Sequence, residues 1–307
     1  MVTAADVLAA LVYGIIQGAL FGVVAIGLSL IWGVMKVVNL AHGELLVIGA
    51  YSAILLAKLY NADPAVSPFL DFLLGAILGL AIFYAILYKL VGKVEVVTLR
   101  EEMSTLLAMF GLSIFLFKFL YLWTDMDPNL DLYEAVPEKG VFAHASSISF
   151  MGISVEATKL YVFAVSIIIA IIMHLFLTRT TLGLAIRAVT QDAVAVSLVG
   201  LNPARIKAIA TLIGIGITLT SGGLVALYHG AGISPELSPL YAPLSFVIVV
   251  LGTPGNLWGS MLAGFIIGEA YNLVYALTGS LSLGLASAFA ILVAVLVFRP
   301  EGLFGRR

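Results

Sequence analysis

Long apolar runs separated by short polar clusters set the pattern of this chain. Full-length runs fall at about 8–31, 69–90, 104–122, 160–177, 208–228, 257–277 and 281–298, each close to the roughly 20 residues a helix needs to cross hydrocarbon. Two further runs are shorter or interrupted. One, at about 43–59, follows Asn39-Leu40-Ala41-His42-Gly43-Glu44, and the other, at about 243–251, stops at Gly252-Thr253-Pro254-Gly255-Asn256. Backbone that leaves the helix at membrane depth has to be buried in protein or line a cavity, so both breaks are candidates for function. The pattern predicts an all-α, polytopic transmembrane helical bundle of about 8–9 membrane segments, including short or broken helices, forming a single domain over residues 1–307.

Composition agrees with the pattern. Hydrophobic residues make up 62% of the chain and charged ones only 10%, with a mean hydropathy of +1.15, whereas a soluble domain carries about a quarter charged residues. Fifteen basic and 17 acidic side chains cannot cover a soluble surface of 307 residues, so lipid is the solvent for most of it. The net charge of −2 provides no basic field for nucleic acid. Cysteine is absent, which removes disulfides, thiolate metal sites and cysteine nucleophiles together. The start, Met1 to Asp6, lacks the basic region of a secretory signal, and the first apolar run is expected to remain as the first helix.

Charge then orients the chain. Basic residues gather at 89–102 (Lys89, Lys93, Arg100), at 178–207 (Arg179, Arg187, Arg205, Lys207) and in the tail (Arg299, Arg306, Arg307), and these segments read as cytoplasmic. The connection 123–159, with Asp125, Asp127, Asp131, Glu134 and Glu138, reads as an acidic external loop. This places the N-terminus outside and requires an odd number of crossings after residue 242, where the pattern offers two full spans. Either the broken 243–251 piece crosses, or a half-helix re-enters.

Several constellations bear on chemistry. Gly18/Gly22, Gly75/Gly79, Gly255/Gly259 and Gly264/Gly268 have the spacing that lets helices approach closely, and packing within one subunit is the expected use. A weak echo relates 43–51 to 264–271, as transporter halves often do. In the 179–207 connection, Leu184, Ile186, Val189, Ala193, Val196 and Val199 recur at helical intervals, with Arg187, Gln191 and Asp192 between them. Gly200 follows as a C-cap, Asn202 as the next N-cap and Pro203 as a first helical residue. Such a helix either rests on headgroups or docks a cytoplasmic partner.

Asn39, His42 and Glu44 are polar in an apolar region, where ionisable groups are costly unless paired or hydrated. They are either pathway groups or local fixtures: a cap, a first-turn acid, a histidine on a carbonyl. Asn256, Glu269 and Asn272 stand under the same two readings, while Asp71, just after Ser67-Pro68, reads as an N-terminal helix residue near the outer surface. Enzyme signatures are missing. There is no Gly-x-x-x-x-Gly-Lys-Ser/Thr loop, no His-Glu-x-x-His pair and no Gly-x-Ser-x-Gly elbow, so neither a catalytic site nor a metal site is expected and any ATP is hydrolysed by another chain.

Residues Gly27 to Glu44, Thr181 to Asp192, Leu198 to Asn202, Leu251 to Gly259 and Arg299 to Gly305 together make the chain resemble the permease subunits of branched-chain amino acid ABC importers, specifically the shorter permease type. Thr253-Pro254 departs from the family's usual glycine-rich turn. The resemblance implies a coupling helix over Arg187 to Asn202, with Arg187, Gln191, Asp192, Gly200 and Asn202 at the ATPase contact. It further implies two cytoplasmic ATPase subunits carrying ATP and Mg, with no cofactor on this chain, an external solute-binding protein, and a second permease subunit, related or identical. The plasma membrane is the expected location. The candidate pathway residues are then Asn39, His42, Gly43, Glu44, Gly252, Gly255, Asn256, Glu269 and Asn272. Rival readings are a urea, amide or sugar permease of the same superfamily, and a proton-coupled secondary transporter using Glu44 or Glu269 as a relay.

Overall fold

The computed structural model describes residues 3–94, 97–126, 147–150, 153–230 and 233–305. Its elements are α1 (Ala4–Met35), α2 (His42–Leu59), α3 (Ser67–Ile82, continued by a wider π-wound stretch, Phe83–Gly92) and α4 (Leu99–Met126). A hairpin of β1 (Ile148–Phe150) and antiparallel β2 (Ile153–Val155) follows. Then come α5 (Ala157–Arg179), α6 (Thr181–Gln191), α7 (Ala193–Leu198), α8 (Pro203–His229), α9 (Ser238–Gly252), α10 (Leu257–Thr278) and α11 (Leu281–Phe298). Asp127, Asp131, Glu134 and Glu138 of the expected acidic loop, and Arg306 and Arg307 of the tail, lie outside the described residues.

Nine stretches among the described residues are long and apolar enough to cross a membrane. One of them is Pro235–Gly252, 18 residues long, so three spans follow residue 230 and the odd count required by the charges is met. The short 243–251 run starts at Pro243, a helix breaker in isolation. Instead α9 carries Pro243 in its interior and begins at Ser238, after a 3₁₀ turn, Pro235–Leu237.

Local chemistry sets the helix ends. Thr3 and Asp6 form a capping box that starts α1, with Thr3 N donating to Asp6 Oδ2 at 2.8 Å and Asp6 N to Thr3 Oγ1 at 3.2 Å. At the other end of the π-wound stretch, buried Lys207 donates from Nζ to the carbonyls of Val91 (3.0 Å) and Val94 (2.7 Å). A cation there complements the negative end of the helix.

Two four-helix halves of opposite direction build the bundle. Each opens with a long helix (α1, α8), continues with a short one (α2, α9) and ends with two more (α3 and α4, α10 and α11). Packing follows the same exchange: α1 runs antiparallel along α10, and α8 along α3. Inverted repeats of this kind are a common transporter architecture. The weak echo between 43–51 and 264–271 joins α2 to α10, which this topology does not equate.

Glycines carry both long contacts. A Cβ on Gly18 would lie 2.8 Å from Phe265 Cα, one on Gly264 2.5 Å from Gly22 Cα, and one on Gly75 2.7 Å from the Ile215 carbonyl. The Gly-x-x-x-Gly spacings therefore serve packing within one subunit, where close backbone approach replaces a missing hydrophobic drive. Long stretches of α1, α2, α8 and α9 are buried, whereas α4, α5 and α11 expose most of their apolar side chains at the periphery of the bundle.

Candidate functional site

The first break folds inward. α1 ends at Met35, Lys36 takes a left-handed conformation (φ 57°), and Val37, Asn39 and Ala41 are buried as the chain runs back to α2. Asn39 closes this turn locally, accepting from Ala41 N at Oδ1 (3.1 Å) and from His42 N at its carbonyl (3.3 Å). His42, 1% exposed, then lies with Nδ1 3.3 Å from the Thr218 hydroxyl. Thr218 is the sixteenth of the 27 residues of α8, so α2 starts near the middle of the bundle rather than at its edge.

There α2 meets α9 end to end. Ser238, the first residue of α9, donates its hydroxyl to Glu44 Oε1 at 2.6 Å. A Cβ on Gly43 would lie 2.6 Å from the Ser238 carbonyl, so only glycine permits the approach. Two helix N-termini, each with a partial positive charge, converge on one carboxyl group that is 5% exposed and whose Oε2 has no hydrogen-bond partner. The His42 Nε2 likewise makes no hydrogen bond of ordinary geometry. Buried polar atoms without partners are uncommon and ask for an explanation.

The other candidates lie elsewhere. Gly252, Gly255 and Asn256 form the turn between α9 and α10, where Asn256 Oδ1 accepts from Gly259 N at 3.0 Å as an N-cap and Gly255 N donates to Ser29 Oγ at 3.1 Å. This turn packs on Gly33, near the end of α1. Nine residues, about 14 Å of helix, separate Gly33 from Val24, which neighbours His42. Asn272 and Glu269 sit between α10 and α1: Asn272 Nδ2 donates to Gln17 Oε1 at 2.8 Å, and Glu269 lies beside Gly14 with Oε2 unpartnered. The nine candidates thus occupy three places.

Three residues at the bundle's polar interior are not among the site residues read from the sequence. Thr218 and Ser238 look ordinary in an apolar context, and only the tertiary contact gives them partners. Asp71, expected near the outer surface, is 0% exposed. It does sit in the first turns of α3, but α2 and α8 close over it: Ser52 donates to its Oδ1, and a Cβ on Gly223 would touch its Oδ2. A cavity of about 550 Å³ between α3, α5 and α8, with Phe69, Phe72, Ile169 and Ile217 in its wall, contains none of the candidates.

The 179–207 connection forms two helices where the apolar period predicts one. Asp192 is extended (φ −155°, ψ 101°) and accepts from Val194 N and Ala195 N at Oδ1, both at 2.9 Å, so it ends α6 and caps α7. A short acidic side chain that bonds the local backbone interrupts a helix in this way. Ile186, Val189, Ala193 and Val196 are buried, whereas Leu184 and Val199, read as part of the same face, are exposed together with Leu198. Gly200 (φ 85°) ends α7 with Leu201 N bonded to the Val196 carbonyl (3.3 Å) and Gly200 N to that of Ser197 (3.1 Å). Asn202 Oδ1 caps α8 through Ala204 N (3.0 Å) and Arg205 N (3.3 Å). Arg187, Gln191 and Asp192 all reach the surface. A cavity of about 220 Å³ separates Gln191 and Asp192 from Met35 and Lys36 at the root of the first break.

Residues 10–297 match the family described as a branched-chain amino acid transport system / permease component. The chain belongs to that family. This permease is 29% identical over 298 residues to the high-affinity branched-chain amino acid transport system permease protein BraD of Pseudomonas aeruginosa, covering 96% of this chain and 95% of the relative. It is 26% identical to LivH of Escherichia coli, covering 95% and 94%. To LivM of Salmonella typhimurium it is 25% identical, covering 92% of this chain and 67% of that protein. No solved structure matches. The permease is accordingly a multi-pass protein of the plasma membrane and a transport component.

Proposed function

We propose that this permease is the membrane-spanning subunit of an ATP-driven importer of branched-chain or similarly apolar amino acids, and that solute passes by way of the mid-bundle junction of α2 and α9. The observation that carries the site is the Glu44 carboxyl between two helix N-termini, with one oxygen unpartnered. A zwitterion suits such a place: helix N-termini favour its carboxylate, and the free Glu44 oxygen can accept its ammonium. His42 and Asn39 flank the same junction.

Energy enters from below. Two ATPase subunits, holding ATP and Mg, dock on α6 and α7, where Leu184, Leu198 and Val199 are exposed around Arg187, Gln191 and Asp192. The buried side of those helices, Ile186, Val189 and Val196, shares a core with Val34 and Met35 of α1. Closure of the ATPases therefore pushes on the point where α1 gives way to the 36–41 segment, and so on the base of α2. An external binding protein delivers the solute, and a second permease completes the pathway. Packed helices switch between discrete arrangements rather than deforming continuously, which suits alternating access.

The test is uptake of leucine, isoleucine and valine into proteoliposomes carrying the complete complex. Glu44→Ala should remove uptake while the ATPase subunits still co-purify with the permease. Normal uptake by Glu44→Ala would take the junction out of the pathway.

A further inference from the structure

The outer face of α4 holds a charge that no described residue of the permease neutralises. α4 packs inward through Thr105, Met109 and Leu120. Lys118 precedes Leu120 by two positions, which on an α-helix turns it about 160° away from that line. It is exposed, its ammonium lies 5.8 Å from the centre of the Phe117 ring, and it makes no hydrogen bond or ion pair among the described residues. It sits six residues inside the end of the Leu99–Thr124 span. Leu107, Phe115 and Leu122 share its side, and Gly111 leaves open space there.

The opposite charge is close by. Tyr121, less than one turn from Lys118, donates its hydroxyl at 2.5 Å to Glu236, which is exposed on the Pro235–Leu237 turn. The counterpart of α4 in the second half, α11, exposes Val293, Val297 and Phe298 and contains no ionisable residue. Ionisable side chains within spans face protein or water as a rule, because hydrocarbon cannot solvate them. α11 has the composition of a lipid-facing surface, and α4 does not.

We propose that the Lys118 face of α4, with the Glu236 turn, is where a second permease chain of the same fold seats. A two-fold or pseudo-two-fold contact sets a patch against its own counterpart, and a patch bearing both signs is complementary to itself: Lys118 meets the acidic group at the position of Glu236 in the other chain. Gly111 lets the two helices approach. The proposal shares with the functional reading only the premise that the permease works as one of a pair.

The natural absence of cysteine makes the test direct. Gly111→Cys or Phe115→Cys on α4, or Val293→Cys on α11, is paired with a cysteine at the matching position of the second permease (the same substitution where that chain is a copy). Membranes containing the assembled complex are then treated with a short bismaleimide, which joins two thiols. The α4 variants should yield a product with the summed mass of two permease chains, and Val293→Cys should not. Adding Lys118→Leu or Lys118→Glu should cut that product roughly tenfold. Linkage from α11 alone, a product containing the external binding protein instead, or undiminished linkage with Lys118→Leu, as for a lysine that only reaches toward headgroups, would overturn the proposal. Leucine uptake in the same membranes separates the two readings, since α4 linkage in a complex that imports no leucine removes the substrate assignment and supports the pairing surface.

Discussion

The two interruptions of the apolar pattern, 36–44 and 252–256, look alike as sequence and differ in the fold. Both are short, polar and flanked by glycine. The first returns to the middle of the bundle, and its polar groups find partners on other helices: His42 on α8, Glu44 on α9. The second is a turn at one end of α9 where Asn256 caps its own helix, Gly255 N donates to Ser29 Oγ of α1 at 3.1 Å and Thr253 Oγ1 to the Glu301 carbonyl at 2.9 Å. No buried polar side-chain atom of this turn is left unpartnered as the Glu44 oxygen is. A break in hydrophobicity therefore marks where helical hydrogen bonding stops, and says nothing of whether the loose ends meet another element or their own neighbours.

That contrast can be broken at the first site by filling it. A Cβ on Gly222 of α8 would run into the Leu46 carbonyl of α2, so Gly222→Leu should abolish folded permease, read as loss of the monodisperse peak in detergent. At the second site, Asn256→Leu, nearly equal in volume but unable to cap, should leave folded protein. Next in size is chemistry without bulk. Glu44→Gln keeps the shape and puts an amide NH2 where a carboxyl oxygen stood, and uptake should fall by roughly tenfold, about 1.4 kcal/mol, while Asn256→Asp, which can still cap, should transport normally.

Smaller effects sharpen the comparison. Asn256→Ala loses an N-cap and should cost about 1 kcal/mol of stability, seen as a lower melting temperature and restored by Asn256→Ser. Smallest of all, Thr253 holds a positive φ of 71°, which disfavours a β-branched residue. Thr253→Gly should raise the melting temperature slightly. A large uptake defect in either variant would mean that the second break takes part in transport and the contrast is false.

Much of this was legible in the sequence. The all-α membrane fold, the capping residues Gly200, Asn202 and Pro203, the in-chain use of the glycine spacings and the family all follow from residues that act locally or in runs. The single helix predicted over 184–199 was not: Asp192 won the local contest for backbone donors, and periodicity is blind to that. Nor could a run that stops at Pro243 reveal that α9 continues through it to Ser238.

Hydropathy and capping depend on a residue and its near neighbours, so the sequence alone determined which stretches are apolar enough to enter the membrane and where α8 is capped. Asp71 in the interior, Ser238 on Glu44 and the separation of nine candidate residues into three places were decided only when the two inverted halves packed together. A polar side chain at membrane depth takes its meaning from the group opposite it, and that group lies 194 residues away for Glu44 and Ser238.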